Sequence, residues 1–372
     1  MYTHAHPYTP LLDLLSSHLP YSGPLLQDSV PNGDSDSASP WLASYTDINR
    51  GPDTQVWVFS SLETSLPSPN SGAEAPLSTP QDEQGNALGH FNTAATTQEK
   101  ELVKFQLLDL FKYIRSTLIP PYLSHLSTQL AVPVTVKEEG VPKIPIHPST
   151  SILLGTIHIG LVALIAELQA ESTSRLKIHR GNGVFYVKYC FPSEVFEIPT
   201  AELERSAEDK GDGNGYRFHD SNGVYGIQER HINLVKSRTN IPRSTKALLA
   251  MGGVALYQDK QLTGSEEKGE EMPIAWAFLG FDGSLCSLHV EPEVRGRGLA
   301  AVVGREVMKR GVGRFEPDSD SGDEQALAKE EKKKWFFADV AVENSASRRV
   351  MAKMGGLVGW TIAWMVVEVE VE

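Results

Sequence analysis

The sequence predicts a mixed α/β fold that is most regular in its C-terminal half. Two apolar runs, Ile274–Phe281 and Ser284–Val290, flank Asp282-Gly283, and this dipeptide between apolar runs is a strong signal for a tight β-hairpin. The glycine-containing segment Arg295–Ala300 then leads into an amphipathic helix. A strand, a helix and a last strand follow. The order hairpin, helix, strand, helix, strand predicts a mixed α/β sheet.

Local signals delimit the elements that follow the hairpin. The run Trp335–Val342 predicts a strand, and Asn344 is placed to cap the helix after it. Gly355-Gly356 predicts the end of that helix, and the apolar residues around Ile362 predict the last strand. Residues 316–331 are acidic and polar, which predicts a mobile surface insertion within the domain.

Residues 1–200 predict a less regular α+β region. Residues 31–97 are rich in Ser, Pro, Gly, Asn and Asp, which predicts mainly disordered loops around one strand at Gln55–Phe59. Apolar residues at helical spacing predict a helix over Glu101–Leu118. Pro120-Pro121 is expected to stop that helix because proline breaks the helical hydrogen-bond pattern.

The long apolar stretch Ser151–Leu168 could be a membrane span or a buried helix. It holds a histidine, two glycines and a glutamate at about the minimum spanning length, so a buried core helix is favoured. Gly183–Phe191 is β-branched and aromatic and predicts a strand. Residues 201–215 are charged and then glycine-rich, which predicts a linker to a C-terminal domain over residues 216–372.

The composition of the chain argues against several classes of function. The formal net charge of -13 argues against a general binder of nucleic acid or anionic membranes, because both need a broad basic surface. The N-terminus lacks the basic and apolar segments of a signal peptide, so a cytoplasmic protein without membrane attachment is expected. Cys190 and Cys286 have no metal-ligand or redox spacing, so no metal is predicted, and a buried thiol is favoured for Cys286.

The turn at Arg295–Ala300 is a candidate anion site. Glycines let a backbone approach a phosphate, and the first N–H groups of the next helix can point at it. Basic residues cluster around this turn within an acidic protein: Arg295, Arg297, Arg305, Lys309 and Arg310. A plain strand-to-helix turn with a solvated basic face is the alternative. A dinucleotide-binding fingerprint is disfavoured, because too little chain follows Ala301 to build that sheet.

Two segments resemble motifs of one enzyme superfamily. Leu288–Ala300 resembles motif A of the GNAT acetyltransferases, [RQ]-x-x-G-x-[GA], and Val342–Gly356 resembles motif B. The matching positions are Arg295, Gly298 and Ala300 in motif A, and Asn344, Ser347 and Gly355 in motif B. Pro273–Phe278 followed by Asp282-Gly283-Ser284 resembles the glycine N-acyltransferase-like branch. The resemblance covers residues 216–371 and implies the GNAT fold, a mixed and mainly antiparallel sheet flanked by helices.

The resemblance also implies a chemistry. It implies transfer of an acyl group from acetyl-CoA or another acyl-CoA to a small amine or amino acid, without a metal and without a nucleic-acid or membrane partner. The residues implied to bind CoA are Leu288 and Val290 through their backbone, the turn residues Arg295, Gly296, Arg297, Gly298, Leu299 and Ala300, and motif B residues Asn344 and Ser347. Asn344 can equally be a helix N-cap.

Candidate proton-transfer residues flank the end of the second hairpin strand. Glu291 and His289 are candidates for the general base, although either could instead be structural or solvated. The superfamily often carries a tyrosine as general acid seven residues after the motif B asparagine, but Met351 stands there. The general acid is therefore unassigned, and a catalytically inactive acyl-CoA-binding or interaction protein of the same fold is the alternative function.

Overall fold

The computed structural model is described for a defined set of residues. These are residues 22, 40–46, 54–63, 95–129, 147–181, 184–196, 215–239, 241, 243–258, 271–280, 282–314 and 335–370. The central loop region around residues 64–94, the predicted linker over residues 201–214 and the predicted insertion at residues 316–331 lie outside the described residues.

The described residues form eleven strands and seven α-helices, numbered here in chain order. The strands are β1 (Leu42–Thr46), β2 (Val56–Ser60), β3 (Ile152–His158), β4 (Leu176–Arg180), β5 (Phe185–Pro192), β6 (Tyr216–Arg217), β7 (Gly253–Gln258), β8 (Ala275–Leu279), β9 (Ser284–Val290), β10 (Trp335–Ala341) and β11 (Leu357–Val369). The helices are α1 (Thr97–Tyr113), α2 (Ile119–Gln129), α3 (Ile159–Ala170), α4 (Ile232–Ser237), α5 (Thr245–Met251), α6 (Leu299–Arg314) and α7 (Ser345–Lys353).

The strands join one sheet in the order β1-β2-β3-β11-β5-β10-β9-β8-β7-β6, with β4 paired to β11 beside that path. Among the described strands, only β2–β3 and β9–β10 pair in parallel. The predicted mixed, mainly antiparallel sheet flanked by helices is therefore confirmed. The N-terminal strand β5 lies between the C-terminal strands β10 and β11, with Lys188 opposite Asp339 and Tyr186 opposite Ile362. Strands from both sides of the predicted linker thus alternate in a single sheet.

One face of the sheet is covered by helices along both halves. On the N-terminal side, α1 and α3 pack on alternate residues of β11, including Ala363 and Met365. On the C-terminal side, α6 and α7 enclose a second core, to which α6 contributes Val303 and Val307. Because side chains alternate along a strand, the adjacent β11 residue Ile362 points to the other face.

The opposite face carries α4 and α5 at one end and an aromatic cluster in the middle. Trp276 and Phe278 of β8 pack against Leu248 and Met251 of α5. The aromatic cluster extends across several strands and includes Trp57, Phe59, Phe337 and Trp360. We call the first face the α6 face and this one the α4–α5 face.

Several predicted elements are confirmed. The hairpin β8–β9 turns at Asp282-Gly283, and Gly283 adopts a φ of 70°. The predicted strands around Gln55–Phe59, Gly183–Phe191 and Trp335–Val342 are β2, β5 and β10. Asn344 caps α7 as predicted, because its side chain accepts a hydrogen bond from the Ser347 N–H.

The prediction of a single buried helix over Ser151–Leu168 is wrong for its first half. Ile152–His158 is a strand, β3, which pairs with both β2 and β11. A strand buried on both faces is apolar throughout, so its pattern cannot be distinguished from that of a buried helix. His158 ends the strand and caps α3, since its Nδ1 accepts the Gly160 N–H at 3.0 Å. In the part of the chain that the structure describes, no helix has the length and hydropathy needed to cross a membrane.

The prediction that Pro120-Pro121 stops the helix is also wrong. Helix α1 continues through a π-helical turn at Ile114–Leu118 into α2, which contains both prolines. The Ile119 N–H donates to the Ile114 carbonyl five residues back. Proline has no N–H and its ring collides with the carbonyl four residues earlier in a regular helix. The wider π turn gives the two prolines room at the start of α2.

Candidate functional site

The C-terminal sheet contains a wedge where two parallel strands separate. Strands β9 and β10 pair at Ser284–Phe337 and Leu285–Ala338, at their N-terminal ends. From there β10 follows β5, while β9 follows β8 as far as Val290. The two strands therefore diverge beyond Leu285. We call the gap between them the wedge, with its narrow end at Leu285 and its open end at Val290.

A β-bulge shapes the β9 side of the wedge. The β8–β9 register shifts between Trp276 and Phe278, and Ser287 on β9 has a φ of 50°, in the left-handed region. Such a conformation is strained for serine, and a bulge re-aims the residues around it. The Ser287 hydroxyl is enclosed and makes no hydrogen bond among the described residues.

The backbone of Leu288 and Val290 faces the wedge. The Glu291 N–H donates to the Ile274 carbonyl at 2.9 Å, on the β8 side. Backbone groups of successive strand residues point to opposite sides, so those of Val290, and of Leu288 two residues earlier, point toward β10. Arg295 Nε donates to the Val290 carbonyl at 2.9 Å from that side. This is the placement that the predicted pairing with an extended ligand requires.

The glycine turn lies at the open end of the wedge. Gly296 and Gly298 have φ values of 82° and 84°, and a Cβ atom added to either would meet nothing within 4 Å. Leu299 is buried and anchors the start of α6, while residues 295–298 are exposed. The N–H groups at the start of a helix have no carbonyl of a preceding turn to bind. The turn therefore presents backbone donors beside open space, as an anion site needs.

Motif B residues hold the start of α7. Asn344 Oδ1 accepts the Ser347 N–H at 3.0 Å, and the Asn344 N–H donates to the Ala341 carbonyl at 2.9 Å. The N-cap role that the sequence left open for Asn344 is thus present. A contact of Asn344 or Ser347 with a ligand stays a prediction.

His289 and Glu291 lie together at the open end of the wedge. The His289 ring stacks on Trp276 with centroids 4.7 Å apart, and its Nε2 lies 3.6 Å from Glu291 Oε2, beyond hydrogen-bond distance. Burial lowers the pKa of His289, although the nearby Glu291 carboxylate opposes the shift. The imidazole is therefore neutral near pH 7 and can accept a proton. Arg238 Nε holds Glu291 Oε1 at 3.0 Å, a contact that the sequence did not reveal.

Neither Met351 nor Tyr257 of β7 offers a free hydroxyl that could serve as the general acid. Met351 is 2% exposed and packs in the core under α6 and α7. Tyr257 is fully buried, and its hydroxyl donates to the Gly226 carbonyl at 3.2 Å. Burial raises the pKa of Tyr257 to about 12. The general acid therefore remains unassigned.

A buried ion pair lies near the narrow end of the wedge. Lys188 of β5 is 1% exposed, and its Nζ lies 2.6 Å from Asp339 Oδ1 on β10. Burial raises the pKa of Asp339, and Lys188 opposes that shift. A lysine within the apolar run Gly183–Phe191 was the available sequence signal, but its partner could not be identified without the sheet order.

The cysteines show no sign of nucleophilic activation. Burial raises the pKa of the Cys190 thiol to about 12 and also raises that of Cys286. Cys190 is buried, whereas Cys286, for which a buried thiol was predicted, is half-buried. Within the described ranges, no group of three His, Cys, Asp or Glu side chains has a metal-binding arrangement.

The comparison with protein families finds a match in the N-terminal half of the chain. Residues 26–189 match the family described as the N-terminal domain of the acyl-CoA N-acyltransferase verG. In the same sheet, the C-terminal half carries both GNAT-like motifs around a wedge of separated strands. That match covers less than half of the chain. Membership of the GNAT superfamily, and of its glycine N-acyltransferase-like branch, stays a prediction.

Several solved structures resemble this chain at low sequence identity. A Drosophila protein with an X-ray structure is 16% identical, with a TM-score of 0.38, over 58% of this chain and 60% of its own. A GCN5-related N-acetyltransferase from Kribbella flavida is 11% identical, with a TM-score of 0.31, over 60% of this chain and 68% of its own. One from Sphaerobacter thermophilus is 9% identical, with a TM-score of 0.32, over 58% and 59%. The matched region thus spans about 60% of the Drosophila protein. No curated protein is similar enough in sequence to be detected as a relative.

Proposed function

We propose that this protein is an acyl-CoA-dependent N-acyltransferase of the GNAT superfamily that acylates a small amine or an amino acid. The observation that carries the proposal is the wedge between β9 and β10, with outward-facing backbone along one side and the glycine turn at its open end. A thin, extended ligand with an anionic end matches this arrangement, and acetyl-CoA or another acyl-CoA has that form.

The residues around the wedge fit such a ligand. Open space beside Gly296 and Gly298 leaves room for a phosphate against the backbone. In this assignment, the turn residues Arg295, Gly296, Arg297, Gly298, Leu299 and Ala300 bind the pyrophosphate, the backbone of Leu288 and Val290 pairs with the pantetheine arm, and Asn344 and Ser347 border it.

The reaction is attack of an amine on a thioester. The amine nitrogen forms a bond to the acyl carbon, the carbon–sulfur bond breaks, and CoA leaves as a thiolate that takes up a proton. The backbone N–H groups that face the wedge from β9 can stabilise the negative charge that develops on the carbonyl oxygen.

His289 is the better placed of the two candidate bases. Its neutral imidazole can take the proton of the attacking amine, and its Nε2 has no hydrogen-bond partner among the described residues. Glu291, 3.6 Å away, then stabilises the imidazolium, and Arg238 holds Glu291 in place. Glu291 acts in this scheme as the positioning partner of His289.

Catalysis is tested by release of free CoA from a panel of acyl-CoAs with amines and amino acids. For the pair that turns over, His289→Gln should lower kcat by about 10²- to 10⁴-fold, because it removes the base. His219→Gln is the matched control, since His219 packs edge-to-face against Tyr225 next to the edge strand β6 and should leave kcat unchanged.

The alternative is an acyl-CoA-binding protein of the same fold without catalysis. It is favoured by Met351, whose core position leaves the superfamily's usual acid absent. Tight CoA binding with no turnover of any acyl-CoA and acceptor pair would establish this alternative and end the enzyme proposal.

A further inference from the structure

One arginine of the C-terminal half, Arg243, has no anionic partner among the described residues. Arg243 lies in the segment between α4 and α5, and its Nε is enclosed without a hydrogen-bond partner among the described residues. No described carboxylate forms an ion pair with it, and its hydrogen-bonding contact is a weak one, Nη1 to the sulfur of Met251 at 4.0 Å. Other arginines of this half are paired, such as Arg238 with Glu291 and Arg230 with Asp220.

Arg243 lies beside the narrow end of the wedge. The Met251 sulfur that it contacts is also 3.9 Å from the Cys286 sulfur. Cys286 is the first β9 residue beyond the last β9–β10 pair, at Leu285. The positive charge of Arg243 opposes the rise that burial causes in the pKa of Cys286, which agrees with this proximity. The guanidinium therefore lies on the α4–α5 face, where the two strands begin to separate.

Partial burial of an unpaired guanidinium is unfavourable unless a ligand supplies hydrogen-bond acceptors for its N–H groups. A buried charged donor without an acceptor loses its hydration and gains nothing in return. A guanidinium binds a planar carboxylate with two parallel hydrogen bonds, which makes that group its best-matched anion. Such a donor needs an acceptor that the described residues do not supply.

The phosphates of CoA are too far away to be this ligand. The glycine turn follows Val290 at the open end of the wedge, and a strand rises by about 3.3 Å per residue. From Cys286 to Val290 the strand therefore advances roughly 13 Å. An anion bound at Arg243 must come from the reacting end of the complex.

Further polar atoms without partners lie between Arg243 and His289. Trp276 is fully buried, yet its indole N–H has no hydrogen-bond acceptor among the residues described. The Ser287 hydroxyl and His289 Nε2 are likewise enclosed and without a hydrogen bond in the described part. Trp276 and His289 are cross-strand neighbours, and Ser287 precedes His289 by two residues. Together they form a polar strip that extends from the Arg243 side toward the candidate base.

We propose that Arg243 is a specificity-determining residue that binds a carboxylate of the acyl acceptor. The acceptor is then an amino acid or another amino carboxylate, and not a simple amine. The carboxylate binds the guanidinium while the amine lies along the polar strip toward His289, and the transfer forms the C–N bond and breaks the C–S bond as above. This inference rests on the proposed acyltransferase function.

The test compares acceptors that differ only in charge. Amino acids and their carboxamides, such as glycine and glycinamide, are acylated from acetyl-CoA, and the kcat/KM ratio of acid to amide is measured for each pair. We expect the wild type to prefer the acid by about 10- to 100-fold, as for a charge-assisted hydrogen bond. Arg243→Met should bring that ratio close to one, mainly through the KM of the acid. A methionine keeps the length of the side chain and can pack on Met251.

Arg115→Met is the matched control. Arg115 is also partly buried with an enclosed, unpartnered Nε, but it lies in the π-helical turn between α1 and α2, in the N-terminal region. This variant should keep the wild-type ratio of acid to amide. An equal loss in both variants would attribute the effect to general stability and overturn the assignment.

Two further measurements separate this inference from the proposed function. If simple amines and carboxamides react as fast as acids in the wild type, the function stands and the role of Arg243 is refuted. If nothing is acylated, thermal shifts of the CoA-loaded protein with glycine and glycinamide report binding alone, and loss of an acid-specific shift in Arg243→Met supports the inference without catalysis. Equal shifts for acid and amide oppose it. An Arg243-dependent preference for succinyl-CoA over acetyl-CoA would place the carboxylate on the acyl group and overturn the acceptor assignment.

Discussion

The prediction that the glycine turn binds CoA depends on the backbone conformation of Gly298. Its φ of 84° and the open space beside it leave room for a phosphate against the peptide. Gly298→Glu puts a negative charge and a side chain in that space, so we expect CoA affinity to fall at least about tenfold with the fold retained. Gly223→Glu is the control, because Gly223 has a φ of 78° and equally open surroundings in a distant turn. Calorimetric CoA titration checks both, and unchanged affinity in folded Gly298→Glu would remove the turn from the site.

Glu63 provides a residue-scale test of stability against pH. Burial raises the pKa of this carboxyl from its ordinary 4.5 to about 8, opposed by the Ser60 N–H and by Lys188. Because the folded state holds the proton more tightly, the stabilisation is complete below about pH 4.5 and is lost as the pH rises through about 8. The wild type should lose roughly 3–5 kcal/mol of unfolding free energy over this range from this group.

Replacement of the carboxyl isolates this contribution. Glu63→Gln keeps an acceptor for the Ser60 N–H but cannot ionise, so its stability should change much less from pH 5 to pH 8. Glu229→Gln, on an exposed side chain, should show the wild-type slope. Denaturant unfolding at several pH values gives all three curves. Parallel curves for the wild type and Glu63→Gln would show that Glu63 does not titrate in this range.

At the scale of single elements, the sequence predicts best where local chemistry alone decides. Asp282-Gly283 fixes the β8–β9 hairpin and Asn344 fixes the start of α7, because turn and cap signals lie within a few residues. Strand β3 was mistaken for a helix because its apolar run has no periodicity. The π turn before Pro120 depends on packing around α1 and α2, which no local pattern contains.

The candidate site also has one part that local sequence predicts and another part that it does not. The glycine turn and the wedge-facing backbone of β9 were predictable, because they follow from a motif in one continuous segment. Arg238, Arg243 and Lys188 were not, because each acquires its role from an element that is distant in sequence. Spatial neighbours of this kind become visible only once the sheet order is known.

At the scale of the whole molecule, the two halves depend on each other through β5. This strand supplies the neighbour of β10 on one side and of β11 on the other. Lys188 of β5 and Asp339 of β10 also form a buried ion pair, and removal of one partner from such a pair leaves an uncompensated charge. The sheet that forms the wedge is therefore incomplete without a strand from the first 200 residues.

This dependence predicts the behaviour of the separated halves. A fragment of residues 201–372 alone would expose the edges of β10 and β11 and the buried carboxyl of Asp339, so we expect it to aggregate or to melt without cooperativity. Coexpression with residues 1–200 should restore a soluble complex with a cooperative transition, because the cut falls in the predicted linker and removes no described strand. Lys188→Met in the N-terminal fragment should weaken the complex by about 3–5 kcal/mol, because it leaves the Asp339 carboxylate without its ion-pair partner. Lys177→Met is its control, because the ion pair that Lys177 forms with Glu370 is exposed to solvent and contributes little. If residues 201–372 fold alone and bind CoA as tightly as the intact chain, β5 is dispensable, and the wedge depends only on strands of the C-terminal half.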